Sequence, residues 1–328
     1  MLTTATLLVA LPLFMMVICR PEQSTSRTII VGDDPDAMEA LLGASALPVL
    51  GYVSPPSAYA LDGSEPDRVS VTDGGRRRSG WTNCPVWVGW RDYEVIVEQN
   101  VDTVLLAFAA TDREAFFGTL ETCHDHGVNA LVHQDHADHV LTDDFTGSEL
   151  LTVDLEPLDW QDYMLKRGFN VLFSGEVLLV LSPVIGLISA AIKLDNDGSV
   201  LYQQERTAAF GNTFTVYKFR SMTPATEDSS PDSEEEYRVT RVGRVLWTTH
   251  LDEIPQLWAI LTGKMSVVGP RAVWTEEEVH LEEEAGAWRK RWFIKPGLTG
   301  LAQINDATSA EAQDKLRYDL QYIRQQSF

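Results

Sequence analysis

The chain is 328 residues long, which leaves room for two domains, and its 48 acidic and 26 basic residues give a formal net charge of -22. Most of the excess lies in residues 1–165, with 26 Asp and Glu against 8 Lys and Arg, while residues 166–328 hold 22 against 18. Such acidity argues against nucleic acid as a partner, and with only 7 Lys it is typical of halophilic proteins, whose surface charge keeps them hydrated.

An apolar run without charge occupies residues 5–19, close to the start of the chain. With residues 2–4 it is barely long enough to span a bilayer, which takes about 20 residues. It lacks the basic stretch and the small-residue cleavage site of a signal peptide. We therefore interpret residues 1–20 as a candidate membrane anchor.

Short apolar runs then alternate with amphipathic stretches. The pattern predicts strands at residues 28–32, 49–53, 86–88, 101–108 and 128–132, and helices at residues 36–42, 91–98 and 112–124. Strands that alternate with helices form a parallel, doubly wound sheet. We therefore predict an α/β fold with a Rossmann-like domain over residues 27–140.

The turn after the first predicted strand bears on whether this domain binds a dinucleotide. Dinucleotide sites use a glycine-rich turn there. Here Gly32 is followed by Asp33, Asp34, Pro35 and Asp36, whose three carboxylates would repel a pyrophosphate. We predict a Rossmann-like fold without a dinucleotide site. The alternative is a nucleotide-sugar oxidoreductase or dehydratase that uses this domain, which NAD binding would favour.

A second apolar segment, Val177 to Ile192, has sixteen uncharged residues. A straight helix of that length covers about 24 Å, less than the ~30 Å hydrocarbon core, and Ser182-Pro183 lies in its middle, where proline removes a backbone hydrogen bond. The flanking cations are Lys166, Arg167 and Lys193. Because both ends are cationic, the positive-inside rule places both on the cytoplasmic face of the cell membrane. The pattern predicts a re-entrant hairpin over residues 166–194; a buried core helix is the alternative.

Asp252 and Glu253 form an adjacent acid pair at the start of a predicted amphipathic helix. The apolar face of that helix consists of Ile254, Leu257, Trp258 and Leu261. Two carboxylates framed by basic residues favour an anionic substrate and a divalent metal. Residues 249–252 also fit a capping box, in which the acid only satisfies backbone N–H groups. On that alternative the pair has no catalytic role.

Five further motifs surround the pair in a specific order. They are Lys193-Leu194-Asp195, residues 202–206 (YQQER), 218–222 (KFRSM), 268–271 (VGPR) and 295–303 (KPGLTGLAQ). The set resembles the bacterial-type sugar transferases, monotopic phosphoglycosyl transferases that start glycan assembly on a polyprenyl phosphate carrier. The resemblance covers about residues 160–325 and predicts a membrane-associated α/β transferase domain over residues 160–328, preceded, as in larger family members, by a nucleotide-fold domain.

The resemblance also implies a reaction and a role for each site residue. Asp252 would attack a UDP-sugar, release UMP and form a phosphosugar-aspartyl intermediate, from which a polyprenyl phosphate, dolichyl or undecaprenyl, takes the sugar phosphate. Glu253, with Asp252, would hold Mg²⁺. Candidate phosphate-binding residues are Lys218, Arg220, Arg241 and Arg271. A non-catalytic membrane scaffold is the alternative function, and a homodimer is left open.

Residues 288–293 interleave aromatic and cationic side chains, in the sequence WRKRWF. That composition favours an anchor at the headgroup level of a bilayer. An aromatic cluster at the edge of the core is the alternative.

Overall fold

The computed structural model describes residues 27–44, 48–54, 72–73, 76–77, 86–88, 92–142, 149–195, 198–223, 239–307 and 311–326. The candidate anchor at residues 1–20 lies outside these ranges.

The first part of the chain forms a six-stranded sheet. In chain order its elements are β1 (Thr28–Gly32), α1 (Pro35–Ala44), β2 (Val49–Ser54), the two-residue strands β3 (Thr72–Asp73) and β4 (Arg76–Arg77), which pair only with each other, β5 (Val86–Val88), α2 (Asp92–Glu98), β6 (Thr103–Ala107), α3 (Phe116–His126), β7 (Asn129–His133) and β8 (Leu150–Thr152). The strand order is β5-β2-β1-β6-β7-β8, and all pairs are parallel except β7–β8. The predicted strands and helices of this region are confirmed, apart from a few terminal residues.

The two central strands explain why the prediction succeeded. Every residue of β1 and β6 is buried, because a parallel sheet in an α/β fold is covered on both faces and its strands are continuous apolar runs. β8 lies beyond the predicted boundary at residue 140 and adds an antiparallel edge. The fold is mixed α/β with a largely parallel sheet.

The turn after β1 is occupied by its own carboxylates. Asp33 Oδ1 accepts the Ala109 N–H at 2.9 Å, which bridges the ends of β1 and β6. Asp34 Oδ1 accepts the N–H groups of Asp36 and Ala37 at 2.9 and 3.2 Å. These N–H groups begin α1, where a dinucleotide fold would hold its pyrophosphate. The contacts supply a physical reason for the prediction that this domain binds no dinucleotide.

The dinucleotide prediction is testable by thermal shift. With millimolar NAD or NADP we expect no rise in melting temperature, because Asp33 and Asp34 would first have to leave their N–H partners. ATP at the same concentration and magnesium content controls for nonspecific effects of nucleotide. A rise that saturates with NAD alone would contradict the prediction and revive the oxidoreductase alternative.

A single long helix, α4 (Trp160–Asp195), joins the two parts of the chain. It continues through Pro183, which cannot donate to the Leu179 carbonyl four residues earlier. Ser182 Oγ donates to that carbonyl at 2.8 Å, so the lost backbone bond is replaced. The predicted break at Ser182 and Pro183 is therefore not seen as an interruption, and the re-entrant hairpin is not confirmed.

The surface of α4 is largely uncovered. In its most apolar 18-residue window only 11% of residues are buried, and Leu172, Leu179 and Leu187 are 72–75% exposed. A buried core helix, the alternative interpretation, does not fit these values. Among the described residues, α4 is the one helix long and apolar enough to cross a membrane.

The second part of the chain packs along both halves of α4, through Arg167 and Asn170 in the N-terminal half and Ile188 and Ile192 in the C-terminal half. Its elements are the antiparallel hairpin β9 (Leu201–Thr207) and β10 (Thr213–Phe219), α5 (Arg241–Thr249), a 3₁₀ helix (Leu251–Gln256), α6 (Leu257–Leu261), β11 (Ser266–Val268), α7 (Thr275–Glu284), a 3₁₀ helix (Trp288–Phe293), β12 (Gly297–Thr299), α8 (Leu301–Ile304) and α9 (Ala312–Gln325). β11 and β12 pair in parallel. Ile188 and Ile192 of α4 enter a core with Val216 of β10 and Ile260 of α6.

Residues 288–293 lie between the two parts of the chain. Trp288, Trp292 and Phe293 are at most 4% exposed, and the Trp292 ring meets Phe117 of α3 at 4.7 Å in an edge-to-face contact. The headgroup-anchor prediction is wrong. Trp292 and Phe293 join the core of the first part of the chain, and Trp288 packs among residues of the second part, so the three rings are unavailable to a bilayer.

Candidate active site

The acid pair lies on the 3₁₀ helix Leu251–Gln256, between α5 and α6. α5 ends where His250 adopts a left-handed conformation with φ 55°. Thr249 belongs to the last turn of α5, and its hydroxyl donates back to the Val245 carbonyl at 2.6 Å. Thr249 is therefore not the N-cap of the following helix, and the capping-box alternative is wrong.

The predicted amphipathic helix is present as two short pieces. Ile254 and Leu257 are buried as expected, but Trp258 is 57% exposed. The change from 3₁₀ to α geometry at residue 257 rotates the face, so the 3.6-residue period does not apply across both pieces.

Asp252 carries a buried carboxylate with incomplete hydrogen bonding among the described residues. The residue is 6% exposed, and Oδ1 has no hydrogen-bond partner among the residues that the structure describes. Burial raises the pKa of this carboxyl, an effect that the nearby Lys218 charge opposes. A buried carboxylate oxygen without a donor is costly, and it is available to an electrophile or a cation.

Glu253 has the opposite environment. Its Oε1 accepts from Lys218 Nζ at 2.9 Å and from Arg271 Nη2 at 2.8 Å. Burial alone would raise its pKa, but the charges and hydrogen bonds of Arg271 and Lys218 outweigh burial and lower the pKa to about 2. Two adjacent acids thus differ in role, because one is neutralised by two cations and the other is not.

The structure brings together two of the four predicted phosphate-binding residues. Lys218 and Arg271 meet at Glu253, although they are 35 and 18 residues away in sequence. Arg220 follows β10, is partly buried, and forms no ion pair with another described residue. Arg241 is the exposed first residue of α5 and likewise forms no ion pair within the described ranges. Of the four predicted residues, Lys218 and Arg271 are the two that pair with Glu253, and the roles of Arg220 and Arg241 stay predictions.

Two arginines that the sequence did not single out hold the backbone at Arg271 in place. Arg206, which is 8% exposed, donates to the Ala272 carbonyl. Burial, together with the charge of Arg271, lowers the pKa of Arg206 to about 10. Arg291 donates to the Arg271 carbonyl at 2.7 Å and is paired with buried Asp319 at 2.7 Å. Arg206 ends the YQQER motif, which was the available signal, whereas Arg291 lies in the segment interpreted as an anchor.

The carboxylate oxygens of Asp252 and Glu253 show whether the pair fits Mg²⁺. Asp252 Oδ1 has no partner among the described residues, while Glu253 Oε1 is shared by two cations. No group of three potential ligands occurs among the described residues. Mg²⁺ commonly takes one or two carboxylates and completes its shell with water and substrate phosphates. The residues fit such a phosphate-dependent ion, with Asp252 as the better-placed ligand.

Residues 161–328, from α4 onward, match the family model described as bacterial sugar transferase. The UDP-glucose:undecaprenyl-phosphate glucose-1-phosphate transferase of Klebsiella pneumoniae is 34% identical over 190 residues, 56% of this chain and 41% of that protein. The exopolysaccharide production protein ExoY of Rhizobium meliloti (strain 1021) is 38% identical over 178 residues, 49% of this chain and 77% of that protein. A UDP-N-acetylgalactosamine-undecaprenyl-phosphate N-acetylgalactosaminephosphotransferase of Aeromonas hydrophila is 32% identical over 165 residues.

The matched residues lie in the second part of the chain. The chain spans 41% and 39% of the Klebsiella and Aeromonas relatives, which is less than half of their length. The matched segment 161–328 contains the acid pair and its cations, whereas the six-stranded sheet lies outside it.

Proposed function

The chain belongs to the bacterial sugar transferase family, and on that premise we propose that it transfers a sugar 1-phosphate from a UDP-sugar to a polyprenyl phosphate. The observation that carries the proposal is the unequal acid pair. Glu253 is neutralised by Lys218 and Arg271, while Asp252 keeps an oxygen without a partner among the described residues. That oxygen is the nucleophile, and the adjacent cations reduce its repulsion from a diphosphate. The names of the relatives favour undecaprenyl phosphate as acceptor.

In the first step, a carboxylate oxygen of Asp252 attacks the sugar-linked phosphorus of the UDP-sugar. The bond from that phosphorus to the bridging oxygen breaks, and UMP leaves with the electron pair. The product is a phosphosugar-aspartyl intermediate. Lys218 and Arg271 stabilise negative charge on the phosphates, and Glu253 holds both cations at the site.

In the second step, an oxygen of the polyprenyl phosphate attacks the same phosphorus. The phosphorus–oxygen bond to Asp252 breaks, which regenerates the carboxylate and yields a polyprenyl diphosphosugar. Mg²⁺ bound at Asp252 and Glu253 would supply further neutralisation of phosphate charge. Arg206 and Arg291 act at a distance by fixing the backbone that carries Arg271.

A half-reaction assay tests this mechanism. Purified protein with a panel of UDP-sugars and no lipid is expected to release about one UMP per active site, and added polyprenyl phosphate to make the release catalytic. A phosphosugar adduct mapped to Asp252 by mass spectrometry identifies the nucleophile. Chelation of Mg²⁺ should suppress both steps. The absence of UMP release with every UDP-sugar, with and without lipid, would remove the proposal.

The exposed helix α4 provides the membrane attachment. We place the site on the cytoplasmic face, where UDP-sugars are made, and both ends of the apolar segment on that side, because cations flank it at Lys166 and Lys193. The uninterrupted helix of the structure does not itself supply the bend that this arrangement needs.

Cysteine labelling tests that topology. Cysteines introduced at Leu165 and, beyond the helix, at residue 198 should react with a membrane-impermeant maleimide from the same side of sealed vesicles. A cysteine at Asp314 of α9, exposed on the transferase body, marks the cytoplasmic side as a control. Labelling from opposite sides would instead mean that α4 spans the bilayer as one helix.

A further inference from the structure

An apolar groove runs along α4 next to the acid pair. Its volume is about 590 Å³, and its walls include Leu178, Ile185 and Ser189 of α4, Phe219 of β10, and Pro255 and Trp258. Among the residues that the structure describes, no charged one lines this groove. The volume lies within the ~300–1,000 Å³ of sites that hold small organic ligands.

The α4 wall of the groove is formed by two aliphatic side chains and one serine. Leu178, Ile185 and Ser189 are spaced by seven and four residues, so they share one face of the helix. Ser189 Oγ donates to the Ile185 carbonyl at 2.7 Å, which satisfies its hydroxyl within the helix. Leu179 and Leu187, 75% and 72% exposed, point away from this face. α4 is thus apolar toward the groove and toward its surroundings.

The groove lies beside the segment that carries the proposed nucleophile. In a 3₁₀ helix, side chains three residues apart eclipse one another, so Asp252 and Pro255 form one row on the helix Leu251–Gln256. Trp258 follows three residues later on α6. On β10, Phe219 lines the groove, while Lys218, the residue before it, faces the other side of the strand and pairs with Glu253. The polar site and the apolar groove therefore share two backbone segments.

We propose that this groove binds the isoprenoid chain of the acceptor, with the acceptor phosphate at Asp252. The proposal rests on the function proposed above. A polyprenyl phosphate must bring its phosphate to a buried carboxylate while its chain stays out of water. A groove with no charged residue among its described lining residues, which adjoins the 3₁₀ helix that carries Asp252 and follows the exposed apolar helix α4, meets both requirements. An acyl chain of an ordinary bilayer lipid would not place a phosphate at Asp252 for transfer.

The first test compares two tryptophans of equal exposure. Trp258→Ala removes a groove wall, while Trp247→Ala removes an indole that is 56% exposed on α5 and does not line the groove. We expect Trp258→Ala to raise KM for a long-chain polyprenyl phosphate about tenfold, as loss of a central aromatic contact does. The burst of UMP with UDP-sugar alone should stay as in wild type. Trp247→Ala should match wild type in both assays.

A second pair of variants blocks the groove instead of opening it. Ser189→Phe puts a ring into the groove, and Ala190→Phe puts the same ring on the exposed neighbouring position. We expect only Ser189→Phe to lower kcat/KM for the long-chain acceptor. Its effect should be smaller with a single-isoprene phosphate, which reaches less of the groove.

The outcomes separate the two proposals. If wild type gives no UMP with any UDP-sugar, the proposed function fails. If wild type is active but Trp258→Ala and Ser189→Phe match their controls with the long-chain acceptor, the groove holds bilayer lipid or nothing, and the inference is wrong. A parallel loss of the UMP burst in Trp258→Ala would also overturn it, because the groove would then serve the donor step.

Discussion

Asp252→Asn is expected to abolish transfer and yet leave the fold intact. An amide cannot form the acyl phosphate, so turnover should fall by about 10³-fold or more, as on loss of a nucleophile. The structure removes the helix-cap alternative, under which Asn would be an equally good residue. The UMP burst and the Asp252 adduct should both disappear. Asp314→Asn, an exposed acid on α9, is the matched control and should behave as wild type.

The same variant should be at least as stable as wild type at neutral pH. Because burial raises the folded-state pKa of Asp252, its ionised form is less favourable in the folded than in the unfolded protein. That cost is absent at pH below the unfolded pKa and present above the folded pKa, so the neutral amide avoids it. Melting temperature in detergent measures this. Full UMP release by Asp252→Asn would contradict the assignment of Asp252 as the nucleophile, and a clearly lower melting temperature would contradict the cost of its buried charge.

Glu278→Ala is expected to lower the free energy of unfolding more than Arg113→Ala or Glu276→Ala. Glu278 is 1% exposed and joins the two parts of the chain. Its oxygens accept from Arg113 at 2.8 Å, from the indoles of Trp288 and Trp292 at 3.1 and 2.9 Å, and from the Thr207 hydroxyl. Alanine would leave a guanidinium and three polar groups short of a partner, which costs about 3–5 kcal/mol.

The control for Glu278→Ala lies on the same helix. Glu276 is exposed in the first turn of α7, so Glu276→Ala should shift the melting temperature by little. Arg113→Ala should reproduce most of the Glu278→Ala loss, because it leaves the carboxylate buried without its cation. Limited proteolysis would show whether the two parts separate. Equal stability of the Glu276 and Glu278 variants would mean that the network does not hold the parts together.

Local patterns in the sequence were sufficient for the parallel strands and the helices of the first part of the chain. β1 and β6 are fully buried apolar runs, and between such runs the helical segments have a different period. The carboxylates after β1 were visible as a departure from a phosphate turn. The acid pair and the five motifs, taken together, resembled the transferase family, and the family match over residues 161–328 agrees with that interpretation. Each of these features is a short stretch of consecutive residues, so the sequence shows it directly.

The tertiary structure alone decided which charges meet and which apolar surfaces are covered. The sequence offered four candidate cations, and of these Lys218 and Arg271 pair with Glu253, because β10 and the backbone after β11 fold against the 3₁₀ helix. Residues 288–293 have a composition that suits a bilayer or a protein core equally, since both exclude water, and contact with α3 selected the core. Ser182 shows the same limit on a smaller scale, because its hydroxyl can replace the bond that Pro183 removes. The sequence determined the elements and the chemical groups, and long-range packing determined their partners.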